Sequence, residues 1–271
     1  MFEPPKPKTK EWHEKRRRHL GGSDANILMS GNPGKIRELW EIKTGQRSPD
    51  DLEDNFQVQL GIFTEDFNRW WFVKTTDIGV VSPIEHRVSK AHPFMAAHVD
   101  GEALLPKGGS AVFEAKHVGA FKPLTEIVAQ YQPQLHHNMI VMGWETAFLS
   151  LIIGNSFEFV EVPFNHEYAQ ELVRVEQDFW ECVTLKLPPS DEAPKIKPPE
   201  AFKTVDMTGN NAWADAAHVW ITTAIVAGKF ETAAKDIKAM VPPDAKVCRG
   251  HGIQVDRSKA GALRIKALKG E

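Results

Sequence analysis

His98-Val99-Asp100-Gly101 and Ala111-Val112-Phe113-Glu114-Ala115-Lys116 are the stretches on which the reading of this chain turns. Each joins a short apolar run to an acid. On a β-strand, residues two apart share a face. Glu114 and Lys116 therefore project together, and Phe113 and Ala115 project to the other side. Gly108-Gly109 lies between the two stretches and supplies a turn. A hairpin closed there would set the Asp100 and Glu114 carboxylates side by side. Two hard carboxylate oxygens can hold Mg²⁺ with the rest of its shell left to water and phosphate. A neighbouring lysine can orient an attacking water or stabilise a pentacovalent phosphorus. The set suits phosphodiester hydrolysis, although Glu-x-Lys by itself also describes a surface ion pair.

Composition leaves that chemistry room. The chain has 271 residues, 42% hydrophobic and 25% charged, as expected of a globular protein with one sizeable domain and an appendage. No run of about 18 apolar residues suggests a membrane span, and Met1-Phe2-Glu3-Pro4-Pro5-Lys6 has no apolar signal-like segment. Two isolated cysteines, Cys182 and Cys248, make neither a disulfide framework nor a four-cysteine metal site. A reducing, cytoplasmic setting is expected. The net charge is −3, but residues 1–18 carry seven Lys/Arg against three Glu, and residues 229–271 carry ten against five acids. Basic ends around an acidic body could hold a phosphate backbone beside a metal pocket, or could simply be solvated.

Five prolines between Pro188 and Pro199 exclude helix and central strand. The expected organisation is a core at 1–187, a linker at 188–205 and a basic C-terminal appendage of helices and a hairpin at 206–271. Within the core, helices are expected at Trp12–His19, after Ser23 as N-cap, at Lys35–Thr44 and at Gly61–Trp71. Phe63, Phe67 and Trp70/Trp71 would share one face of the last of these, with Trp70 and Trp71 in the core. Strands are expected at Asp77–Pro83, Phe94–Val99, around Glu114 and at Phe157–Pro163. A long helix is expected within Leu124 to about Leu151, and a final helix capped by Asn165. Ala212–Ala227 and Phe230–Met240 read as two further helices.

Five ordered blocks carry a resemblance. They are Trp12-x-x-x-Arg16 with Gly21-Gly22-Ser23-Asp24-Ala25; Leu39-Trp40-x-x-Lys43-Thr44-Gly45; Gly61-x-x-x-Glu65; Val99-Asp100-Gly101 with Phe113-Glu114-Ala115-Lys116; and Tyr131-x-x-Gln134-x-x-His137-x-Met139-x-Val141-x-Gly143. Together they resemble the YqaJ-type viral recombinases, relatives of phage lambda exonuclease within the PD-(D/E)XK nuclease superfamily. The resemblance implies an α/β (α+β) restriction-endonuclease-like core, with a central mixed sheet flanked by helices. It implies Asp100, Glu114 and the Ala115 carbonyl as metal ligands and Lys116 as the catalytic lysine. Gln134 would help position the nucleophile, with Gln132 the alternative register. Glu65 would reach the metal through water, and Arg16 and Ser23 would bind a terminal 5′-phosphate. The implied activity is a Mg²⁺-dependent 5′-to-3′ exonuclease, with Mn²⁺ as a substitute ion. It would act on double-stranded DNA ends as a ring-shaped homotrimer and hand 3′ overhangs to a single-strand annealing protein. The rival readings are another repair or restriction endonuclease of the superfamily, and a non-catalytic DNA-end-binding scaffold.

Overall fold

The computed structural model describes residues 10–192, 196–200, 202 and 205–268; the side chains of residues 10–13 and 85 are not described. The basic start before Lys10, the Trp12 side chain of the first motif and parts of the proline-rich stretch therefore lie outside the described residues. Two compact units are present, Met1–Lys203 and Thr204–Glu271. No helix among the described residues is long and apolar enough to cross a membrane.

The first unit is a mixed α/β assembly. Helices α1 (Lys10–Arg17), α2 (Gly22–Leu28), α3 (Pro33–Thr44) and α4 (Phe56–Thr76) precede the sheet strands β1 (Val80–Val81), β2 (Ile84–Val88), β3 (Ala96–Val99), β4 (Gly101–Leu104) and β5 (Ser110–Val118). Helix α5 (Leu124–Met142), strands β6 (Thr146–Ile153) and β7 (Ser156–Pro163) and helix α6 (His166–Leu185) complete it. The central sheet has the order β1-β4-β5-β6-β7; β5 and β6 are parallel and the other pairs antiparallel. Helix α5 is the crossover that a parallel pair requires. Strands β2 and β3 form a separate antiparallel pair.

The β4–β5 hairpin is the one expected from the Asp100 and Glu114 stretches. Gly101 pairs with Phe113, and the turn runs through Gly108 and Gly109, both at positive φ (88° and 97°), where only glycine is unstrained. Phe113 and Ala115 pack against Phe72 and Phe148 on one side of the sheet; Val112 faces the cluster of Ile127, Leu135 and Met139 on the other. This alternation puts Glu114 and Lys116 on the α5 side.

Several expectations need correction. The helix begun at Leu124 ends at Gly143 (φ 72°), and Thr146–Ile153 is strand β6, the parallel neighbour of the Glu114 strand. An apolar run buried on both faces has no alternation to separate strand from helix. On α4 the inward residues are Asn68 and Phe72, while Phe63, Phe67 and Trp70 are each more than half exposed. The helix is apolar on several sides, so spacing alone did not choose the buried one. Gly21, not Ser23, caps α2. Of the expected Asp77–Pro83 strand, only Val80–Val81 pairs.

In the second unit, α7 (Asn211–Ala239) is one continuous helix across the break expected near Gly228. It is followed by an antiparallel meander of β8 (Val247–Gly250), β9 (Ile253–Arg257) and β10 (Leu263–Ala267), of which β9–β10 is the expected hairpin. Residues of the proline-rich stretch pack within the first unit: Ile196 packs against the Leu20, Trp40 and Phe179 cluster, and Asp191 pairs with Arg37.

Candidate active site

The site begins at the hairpin. Asp100 precedes β4 by one residue, and its Oδ2 accepts the Ala115 amide hydrogen at 2.9 Å, which fixes its carboxylate against the Glu114 strand. Glu114 is 2% exposed. Its Oε1 accepts from Lys116 Nζ and Gln134 Nε2, each at 2.5 Å, and its Oε2 accepts from Asn138 Nδ2 at 3.2 Å. Strand β5 thus supplies Glu114 and Lys116, and α5 supplies Gln134 and Asn138 one turn apart.

Helix α5 is shaped for this role. Pro133 sits inside it, and a proline removes its own N–H and crowds the preceding turn. The next amide, that of Gln134, donates to Asn26 Oδ1 on α2 at 3.0 Å, and Asn26 Nδ2 donates to Gln134 Oε1 at 3.1 Å. Asn26 thereby holds the glutamine that holds Glu114. The close approach of α2 requires Gly22: a Cβ there would lie 2.7 Å from Asn138 Oδ1 and 2.9 Å from Gln134 Cγ.

From the other side, α4 contributes Arg69, whose Nε donates to the Asp100 carbonyl at 3.1 Å and whose NH2 pairs with Glu65 Oε1 at 3.3 Å. Asn68 is buried and bridges Ser150 and the Lys116 carbonyl.

The electrostatics are unbalanced. Burial, then the nearby Asp100 charge, push the Glu114 carboxyl up to about 8 despite Lys116. Burial also raises Asp100, and burial followed by Asp100 raises Glu65. Burial disfavours the Lys116 ammonium, but Glu114 and Asp100 outweigh it and raise its pKa. Its Nζ also lies 5.5 Å from the centre of the Tyr131 ring.

A second cluster faces the first across a cleft of about 240 Å³ lined by Arg16, Ser23, Asp100, Glu114, Lys116 and Gln134 among others. Arg16 NH2 makes a short hydrogen bond to Ser23 Oγ and lies 3.4 Å from Asp24 Oδ1. One depression therefore brings together all the residues singled out in the sequence except Glu65 and Ala115, which border it through Arg69 and the Asp100 contact. Gln134 rather than Gln132 faces Glu114; Gln132 is buried and its carbonyl accepts from His136 Nδ1. His136 and His137 are both fully buried and point apart, His136 toward Asn165 and Phe164, His137 to Glu176 and the Ala96 carbonyl. They are packing residues. The sequence reading missed Asn26, Asn138 and the cleft-lining His19, His86 and His98. Asn138 follows Gln134 by four residues, a spacing that marks a shared helical face.

Residues 11–145 match the YqaJ-like viral recombinase domain. Over these residues, just under half of its length, the chain is similar to the YqaJ-like viral recombinase family. The domain carries every residue of the cleft described above. The uncharacterized protein YqaJ of Bacillus subtilis (strain 168) is 31% identical over 184 residues, 63% of this chain. The match covers 54% of that protein, so the chain spans about half the length of this curated relative. The chain also resembles in fold the alkaline exonuclease LHK-Exo of Laribacter hongkongensis. The TM-score is 0.53 at 15% identity, covering 66% of this chain and 94% of that one. LHK-Exo in complex with dAMP gives the same values. At that identity the likeness is one of fold, the arrangement of a central mixed sheet flanked by helices.

Proposed function

We propose that the chain is a Mg²⁺-dependent exonuclease that digests one strand of linear duplex DNA from its 5′ end. The observation that carries the reading is the single cleft in which Asp100, Glu114 and Lys116 face Arg16 and Ser23. One wall has the groups that phosphodiester hydrolysis requires, and the other has a guanidinium and a hydroxyl suited to a terminal phosphate.

The residues fit a hard divalent cation. Among the described residues no three His, Cys, Asp or Glu side chains are grouped to hold a metal by themselves. The proposed set is the Asp100 and Glu114 carboxylates with the Ala115 carbonyl, completed by water and phosphate oxygens, as Mg²⁺ prefers. Two buried, mutually repelling carboxylates are the donor chemistry that such an ion relieves. When bound there, Mg²⁺ or Mn²⁺ would neutralise charge on the phosphate and help form hydroxide. Lys116, kept charged by its two carboxylate neighbours, orients the attacking water or stabilises charge at phosphorus. Gln134 and Asn138 hold the Glu114 carboxylate in one orientation, and Glu65 adds negative charge at the Asp100 edge. Arg16 and Ser23 bind the 5′-phosphate and so place the first phosphodiester at the carboxylates. The reading includes 3′ overhangs used in strand-annealing recombination, an annealing-protein partner and a ring-shaped homotrimer. These three are carried by the resemblance alone.

The test offers the protein linear and covalently closed circular duplexes of the same sequence in Mg²⁺. Digestion of the linear DNA, with nucleotide release from the 5′-phosphorylated strand, is expected. Cleavage of circular DNA alone would overturn the exonuclease reading.

A further inference from the structure

Behind the Arg16–Ser23 pair lies a buried ion pair, Lys43 with Asp24. Lys43, in the last turn of α3, has a side chain only 2% exposed. An ammonium has three hydrogens to donate, and Lys43 Nζ has three oxygens around it: the carbonyls of Arg16 (2.8 Å) and His19 (2.6 Å) and Asp24 Oδ2 (2.7 Å). The Arg16 carbonyl lies in the last turn of α1, where a helix leaves carbonyls without partners of its own, and the His19 carbonyl lies in the turn just after it. Lys43 therefore fixes the backbone from which Arg16 projects. Asp24 fixes its tip. Its Oδ2 takes the Lys43 ammonium and the Gly21 amide (2.9 Å), and its Oδ1 faces the Arg16 guanidinium beside Ser23. Cation, carboxylate and guanidinium form one chain from α3 through α2 to α1.

We infer that Asp24 and Lys43 are positioning residues that set the enzyme's preference for a 5′-phosphorylated end, acting through Arg16. The inference rests on the exonuclease reading above. Neither residue touches the phosphate. Lys43 and Asp24 pre-orient the guanidinium, so the phosphate does not have to order it. The energetic sign is consistent: a lone buried carboxylate or ammonium is costly, and each here is satisfied by the other.

The experiment measures kcat/KM on one duplex carrying either a 5′-phosphate or a 5′-hydroxyl, in wild type, Arg16→Ala, Asp24→Asn and the double variant. Loss of a charge-assisted hydrogen bond that holds Arg16 is expected to lower the phosphate-to-hydroxyl preference of Asp24→Asn about tenfold, whatever happens to the overall rate. Asp24→Glu, which keeps the carboxylate, should recover part of it. In the Arg16→Ala background, Asp24→Asn should change the preference no further. Should Asp24→Asn fail to fold by circular dichroism, Lys43→Arg takes its place with the same expectation, because a guanidinium cannot make those three contacts from one nitrogen. Equal losses on both ends, an unchanged preference, or a further drop in the Arg16→Ala background would each overturn the inference. A wild type that digests linear DNA without any phosphate preference would overturn it while leaving the exonuclease reading standing. A wild type that digests neither end would remove both.

Discussion

The two walls of the cleft are built by opposite electrostatic rules. At one, Asp24 is nested between Lys43 and Arg16. Burial alone would raise its pKa, but the two cations and the Gly21 amide hold it at about 2. At the other, Lys116 serves Asp100 and Glu114 together, with Glu65 in the same field, and the carboxyls are pushed upward. The Asp24 wall is complete as it stands. At the Glu114 wall the carboxyls of Asp100, Glu114 and Glu65 share two cations, Lys116 and Arg69, and carboxyls pushed upward in a cleft mark a candidate functional site. On the proposed reading, the difference separates a positioning cluster from a reacting one, although both are buried, charged and contributed by short motifs.

Removing the lysine of the unbalanced wall should break the contrast most severely. Lys116→Ala is expected to reduce nucleotide release from an end-labelled duplex by about 10³-fold or more, with helical circular dichroism retained. Turnover near the wild-type value would refute the lysine assignment. Next in size is a change that leaves every charge in place. Gly22→Ala must displace Asn138 or Gln134, and the Glu114 carboxylate with them. A misplacement of that order is expected to cost about 10²-fold in kcat. Gly61→Ala is the matched control, since its Cβ would meet nothing within 4 Å; it should keep activity and gain up to about 1 kcal/mol of stability.

A divalent cation should act on one wall only. Mg²⁺ at about 100 times its dissociation constant stabilises by about 2.7 kcal/mol, or a Tm rise of roughly 5–10 °C for a domain of this size. The rise should be seen by thermal melting in wild type and be absent in Asp100→Asn. An undiminished shift would place the ion elsewhere. The smallest effect belongs to the balanced wall. The folded-state pKa of Asp24, about 2, lies below the usual carboxylate value of 3.8. The stability it contributes is therefore fully present above about pH 4 and is lost as pH falls toward 2, by about 2 kcal/mol. Asp24→Asn should lose that part of the acid dependence in denaturant melts. Equal slopes for the two proteins between pH 4 and 2 would argue against the ion pair.

The unbalanced wall was the more legible of the two in the sequence. Alternation on a strand put Glu114 and Lys116 on one face, and a Gly-Gly turn brought Asp100 alongside, because those are local rules. The parallel strand Thr146–Ile153 was hidden, since burial on both faces erases its period. Which face of α4 turns inward was hidden for the converse reason: aromatic residues occur on several of its sides, and only Phe72 meets Phe113 and Phe148. Asn26 could not be found by spacing at all. It is 108 residues from Gln134, and its role follows from the amide that Pro133 leaves to be satisfied. The Lys43 contacts are legible only as a motif, because they depend on where α1 ends relative to α3.

The central claim is that the Asp100–Glu114–Lys116 wall cleaves phosphodiester bonds once a divalent cation is supplied. The most direct measurement follows mononucleotide release from a linear, 5′-phosphorylated duplex by wild type and by Glu114→Gln, each in Mg²⁺ and in chelator. Gln keeps the size of the side chain and removes its charge. Release by wild type in Mg²⁺ alone, and by Glu114→Gln in neither condition, is the predicted result. Release in chelator, or wild-type rates in Glu114→Gln, would contradict it.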